Sequence, residues 1–188
     1  MKSVSILLIV LIAGIPLGAY VPQRMLTPAG LALERWADTA FPIAWRLNTT
    51  RGANVTGTRD VAEVFRQAFQ AWSAVSTARL SFSEGAATDV ANAAQDGINL
   101  ISLVPSTYSS DAPSMTVLYT VTNPSSGQFP GQILEADILL NPAVSFSTDT
   151  NVPADRYDLQ AVAVHEIGHL LGLDHSGLVS AAMYPNMT

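Results

Sequence analysis

The sequence contains no cysteine. Disulfides, thiolate metal ligands, a cysteine nucleophile and a lipid-modified cysteine are therefore all excluded. Stability must come from packing, hydrogen bonds or bound ions. Lysine is nearly absent too. Lys2 is the only one, and the rest of the chain sets eight arginines against 15 acidic residues. A formal net charge of −6 with no basic cluster lacks the electrostatic footprint of a nucleic-acid binder. Charged residues reach only 13%, and there are just three histidines in 188 residues. Where those three fall becomes the main clue to chemistry.

What is present is apolar: 48% of residues are hydrophobic. A chain of this length suits one domain with a sizeable core and not two. Part of the apolar excess sits at the start. Met1-Lys2 is followed by an uncharged run from Ser5 to Ile15, the breaker Pro16, and small residues Gly18 and Ala19. This pattern predicts a signal peptide over residues 1–19, cleaved after Ala19. The alternative is an uncleaved anchor, but the apolar run from Val4 to Val21 is borderline in length for a span and is interrupted by Pro16 and two glycines. Export to an extracellular location follows, with a periplasmic or signal-anchored protein as the variants. Residues 20–40, with Pro22, Pro28 and Gly30, read as a short lead-in, and residues 41–188 as the folded domain.

Alternation over residues 43–48 predicts a strand. Asp60 and Glu63 form a capping-box-like pair ahead of Val61, Val64, Phe65, Ala68, Phe69, Trp72 and Val75, which recur at helical spacing as one apolar stripe. Residues 79–84, 97–104, 115–121 and 133–141 read as further strands. The segment 115–121 is bounded by Pro113 and Pro124, which suits a position near a sheet edge. A second helix is predicted over about 155–171. The order β-α-β-β-β-α gives an α/β (α+β) architecture, a mixed sheet with helices packed on it.

The second helix carries His165-Glu166-Ile167-Gly168-His169, continued by Leu170-Leu171-Gly172-Leu173-Asp174-His175. Residues four apart share a helix face, so His165 and His169 can offer two imidazoles to one ion. Gly172 can adopt a left-handed conformation, end the helix and return His175 as a third ligand. Zinc takes neutral imidazoles and, in catalytic sites, keeps an open position for water beside three protein ligands. Glu166 sits next to the ligands as a general base without being one. A single His-Glu-x-x-His arises by chance in unrelated chains, but here all three histidines of the chain fall in the longer pattern. Met183 follows in Ala181-Ala182-Met183-Tyr184-Pro185.

The stretch HEIGHLLGLDHS, together with AAMYP and with VFRQAFQAWSAVSTARLSFSE in the first helix, resembles the matrixin branch of the metzincin zinc metallopeptidases. The resemblance covers roughly residues 41–188. It implies a twisted five-stranded mixed sheet on two long helices, an active-site helix ended by a glycine turn, and a Met-turn that places Met183 beneath the zinc histidines. It implies a cleft in which an extended peptide pairs with an edge strand. By order along the chain that edge is Thr116, Val117, Leu118, Tyr119, Thr120 and Val121. The implied activity is hydrolysis of internal bonds in extracellular polypeptides, through one catalytic zinc, a zinc-activated water and Glu166, by a monomer free of the membrane after signal cleavage.

The chain also departs from that family. With no histidine to spare, no second structural zinc is expected. With no cysteine, latency by a thiolate on the zinc is not expected. Family members continue past the Met-turn through a loop and a final helix, so an extension beyond Thr188 is expected. Calcium has thin support: Glu135, Asp137, Asp149, Asp155 and Asp158 offer hard oxygens but lack calcium-loop spacing, and read as solvated loop acids and a helix cap. Asn48, Asn54 and Asn186 head glycosylation triplets, a short pattern that carries no weight alone. Two rival functions remain: a secreted metal-binding or adhesion module of the same fold with weak catalysis, and a zinc hydrolase of a non-peptide substrate.

Overall fold

The computed structural model describes residues 21–185. The predicted signal segment 1–19 and residues 186–188 lie outside the described residues.

The lead-in is ordered into short strands. β1 (Val21–Pro22) is followed by β2 (Arg24–Thr27) and β3 (Gly30–Leu33), which form an antiparallel hairpin, and by β4 (Arg35–Trp36). No hydrophobic alternation announces the hairpin, because Leu26, Leu31 and Leu33 all point to solvent. The next strand is β5 (Ile43–Leu47), whose Ile43, Trp45 and Leu47 face inward. After β6 (Val55–Thr56) comes α1 (Val61–Ser73). All six apolar stripe residues within α1 are buried. Asp60 caps α1 by accepting the Ala62 N–H. Glu63 does not complete a capping box; its carboxylate accepts from Gln67 and Arg66 on the next turn instead.

The remaining strands are β7 (Phe82–Glu84), β8 (Leu100–Ser102), β9 (Ser114–Thr120), β10 (Gln132–Leu140), β11 (Phe146–Ser147) and β12 (Tyr157–Asp158). α2 (Leu159–Leu170) and β13 (Leu173–Asp174) follow. The helix starts later than the sequence suggests. Residues 153–156 form a turn closed by Arg156 N–H on the Pro153 carbonyl, and Asp158, not Asp155, caps α2 through Gln160 and Ala161.

The main sheet runs β4-β10-β8-β5-β7, with β9 added on β10. It has six strands where five were expected, because β4 of the lead-in pairs with Gln132 and Ile133. All pairings are parallel except β9, which lies antiparallel along β10 and has no strand on its other side among the described residues. β7 and β8 are shorter than the alternating segments that predict them, since only the residues in register with β5 and β10 are paired.

α2 is buried nearly all round, as befits a central helix. Two indoles pin it. Trp36 Nε1 donates to the Leu170 carbonyl at 2.7 Å, and Trp72 Nε1 donates to the Val164 carbonyl at 2.8 Å. The lead-in and α1 are thereby both tied to the helix that carries the histidines.

Glu135 and Asp137 are not solvated loop acids. They lie on β10, 3% and 1% exposed. Between them they accept the backbone N–H groups of Ala94, Asp96, Gly97 and Leu100, stapling the long β7–β8 loop to the sheet. Asp149 instead accepts from Thr58. The amides of Asn48 and Asn54 donate internally, Asn48 to the Val90 carbonyl and Asn54 to the Asn141 and Val144 carbonyls.

Candidate metal centre

The site is built on the last turns of α2 and on the chain reversal after it. His165 and His169, four residues apart, project from one face of the helix. Leu171 caps the helix, and Gly172 follows at φ 86°, its N–H bonded to the His169 carbonyl at 2.8 Å. Only glycine adopts this left-handed geometry without strain, and the space is closed as well: a Cβ at 172 would collide with the Glu34 carbonyl of the lead-in. The reversal runs into β13, which pairs with β1 and brings His175 back toward the helix.

The three rings converge. His165 Nε2 stands 3.1 Å from His169 Nε2 and 3.2 Å from His175 Nε2, and one ligand atom from each ring falls within 4.8 Å of the others. Two of the rings are held from behind. His165 Nδ1 donates to the Ala182 carbonyl at 2.9 Å, and His169 Nδ1 donates to the Leu173 carbonyl at 2.7 Å. Placing the proton on Nδ1 leaves the lone pair on Nε2 aimed at the shared point, which is how metal-binding imidazoles are oriented. Burial pushes the His165 ring below its ordinary pKa, against the opposing pull of the Ala182 carbonyl, so the neutral form is favoured. Three convergent imidazole nitrogens on an open-sided centre fit zinc. Among the described residues this is the one group of histidines and acids so arranged. Asp174 does not touch a ring; its carboxylate accepts the His175 backbone N–H at 2.7 Å.

Met183 is fully buried, and its thioether lies against Gly168, where any side chain at 168 would strike it and Trp72. The turn carrying it is tied to the ligand segment by Ser176 N–H on the Met183 carbonyl at 2.7 Å. The turn also serves the centre through its backbone, because the carbonyl behind His165 belongs to Ala182.

Glu166 is buried, 3% exposed, and points into the same cleft of about 300 Å³. Its Oε1 accepts from Ser114 Oγ at 2.6 Å and its Oε2 from Thr116 Oγ1 at 2.6 Å. The cleft is walled by residues 112–116 on one side, with Gln23, Asp174, the histidines and Pro185 completing it. Of the six residues expected along the substrate edge, Thr116 lines this cleft. Val117 lines a neighbouring cavity, Leu118, Tyr119 and Thr120 continue up the strand, and Val121 is buried beyond its end. Sequence reasoning missed Ser114 and Gln23. Two hydroxyls two residues apart at a strand start share one face, a signal that points at Ser114 once the strand is placed. Nothing in the sequence points at Gln23.

Comparison with known proteins agrees with this geometry. The Matrixin family model matches residues 35–188. Metalloendoproteinase 2-MMP of Arabidopsis thaliana is 36% identical over 135 residues, covering 70% of this chain and 32% of that protein. Metalloendoproteinase 1-MMP of Arabidopsis thaliana is 31% identical over 155 residues, covering 77% and 37%. Interstitial collagenase of Oryctolagus cuniculus is 29% identical over 171 residues, covering 88% and 31%. The chain thus spans about a third of the length of these curated relatives.

Proposed function

The chain belongs to the matrixin family, and from that premise we propose that it is a zinc-dependent endopeptidase cleaving internal bonds of extracellular polypeptides. The observation that carries the reading is the convergence of three imidazole nitrogens beside a buried carboxylate that is not one of them. His165, His169 and His175 would hold the ion. Zinc held there supplies Lewis-acid polarisation of a carbonyl and activation of water.

The chain's own residues do the rest. Glu166 accepts the proton of the attacking water and returns it to the departing amine, the role of a carboxylate within hydrogen-bond reach of the reacting atoms. An extended peptide lies along the free edge of β9 at residues 114–116, where backbone groups not paired with β10 add it as a further strand. The lining of the cleft by Ser114, Met115 and Thr116 supports a substrate edge that includes the start of β9. The carbonyls of Ala182 and Leu173 keep two ligand rings in their binding tautomer. Export through residues 1–19 delivers the enzyme to its substrates. Among the described residues no helix is long and apolar enough to cross a membrane.

The test is hydrolysis of an unfolded protein by wild type and Glu166→Ala, each assayed for bound zinc. Wild type should cleave and the variant should not, with zinc content equal. Metal-loaded wild type that cleaves no polypeptide would favour a binding module, and an active Glu166→Ala would remove the proposed base.

A further inference from the structure

A buried carboxylate that must move a proton needs a fixed position, and Glu166 has no cation to fix it. Among the described residues the ion pairs involve Arg66 and Arg156 only, each with other acids. Leaving a buried carboxylate without hydrogen bonds is costly. What it has are two hydroxyls, one on each oxygen. Ser114 and Thr116 are two residues apart along β9, so both side chains project to the face that meets α2. Thr116 Oγ1 also lies 3.2 Å from the Glu166 backbone carbonyl, so one side chain touches both ends of the same residue.

We propose that Ser114 and Thr116 are positioning residues for the general base, locking the plane of the Glu166 carboxylate and coupling it to the strand on which the substrate lies. This rests on reading Glu166 as the base. A single donor would leave the carboxylate free to swing about its own χ angles; a donor on each oxygen removes that freedom. Each carboxylate oxygen has a second acceptor direction, so a hydroxyl on each still leaves room for the proton of the attacking water. Neutral donors suit the task better than an arginine would, because a fixed positive charge beside the centre would repel the metal. The same strand presents its backbone edge to the peptide and its inward hydroxyls to the base. The register of β9 on α2 therefore sets the distance between the bond to be cut and the group that moves the proton.

The experiment uses the full chain loaded with zinc, with Ser114→Ala, Thr116→Val, the double variant, Thr116→Ser and Glu166→Ala, and reads kcat, KM, zinc content and Tm. Misplacing a reacting group by an ångström costs on the order of 100-fold. Thr116→Val and Ser114→Ala should each lower kcat roughly 10-fold or more, with KM and zinc per chain unchanged. Thr116→Ser, which restores the hydroxyl, should recover kcat to within about 3-fold of wild type. A double variant with wild-type kcat per zinc-loaded chain, or a Thr116→Ser as impaired as Thr116→Val, would overturn the proposal. So would a loss confined to Tm, which is the mark of a merely structural contact. If Glu166→Ala is itself active, the reading of the base fails; if it is dead while the hydroxyl variants keep full kcat, the positioning role alone fails.

Discussion

Replacing Gly172 with alanine perturbs the backbone turn that returns His175 toward the helix. Its φ of 86° lies in the left-handed region, where a Cβ costs roughly 1–2 kcal/mol. The new methyl group would also overlap the Glu34 carbonyl and crowd the Ile133 side chain. Forcing such groups apart in a packed interior adds roughly 1–3 kcal/mol. The two effects sum to about 2–5 kcal/mol, a large part of the stability of a domain this size. Asparagine separates them: it tolerates the left-handed conformation, so Gly172→Asn keeps the collision and sheds about 1 kcal/mol of the strain. Urea unfolding of the zinc-free protein measures both. Competition with a chromophoric chelator measures the consequence for the metal, since the displaced segment carries both the Leu173 carbonyl behind His169 and His175 itself. A Gly172→Ala variant within 0.5 kcal/mol of wild type, holding zinc equally well, would refute the reasoning about the turn.

Other expectations follow from the same geometry. His175→Ala removes a ligand and not an outer partner, so zinc affinity should fall by more than about 100-fold, beyond the range of outer-partner substitutions; unchanged affinity in the chelator competition would mean that His175 is not a ligand. Burial raises the Asp137 carboxyl from 3.8 to about 6, opposed by the Leu100 and Ala94 N–H groups. The folded state then holds that proton more tightly than the unfolded chain. Its contribution to stability is complete below about pH 4 and is lost as pH rises through about 6. The urea midpoint of wild type should fall relative to that of Asp137→Asn as pH rises from about 4 through about 6, and a carbon-13 titration of Asp137 centred near its ordinary value would contradict the account.

Much of this site can be read in the sequence because its spacing is enforced by helix geometry. His165 and His169 must share a face, Gly172 must turn the chain, and the apolar stripe of α1 must be buried. These are local constraints, and they survive folding intact. What the sequence hides depends on contacts between distant segments. The β2–β3 hairpin exposes its leucines and so leaves no period to detect. β1 belongs beside β13 only because the lead-in crosses the reversal after α2, more than a hundred residues away. Glu135 and Asp137 look like surface acids until the β7–β8 loop supplies them with backbone donors. Asp155 and Asp158 are equally good caps on paper; the turn at Pro153 and the pairing of β12 with β11 decide for Asp158. Ser114 and Thr116 are ordinary strand residues until β9 is laid against α2.

The central claim is that this centre uses zinc to add water across an internal peptide bond. The direct measurement is mass spectrometry of an unfolded polypeptide digested in oxygen-18 water, with and without a zinc chelator, and after zinc is returned. The account predicts products cut at internal positions, each new carboxyl terminus carrying heavy oxygen, with cleavage abolished by chelation and restored by zinc. Intact substrate in the presence of zinc-loaded protein, or cleavage indifferent to the chelator, would contradict it.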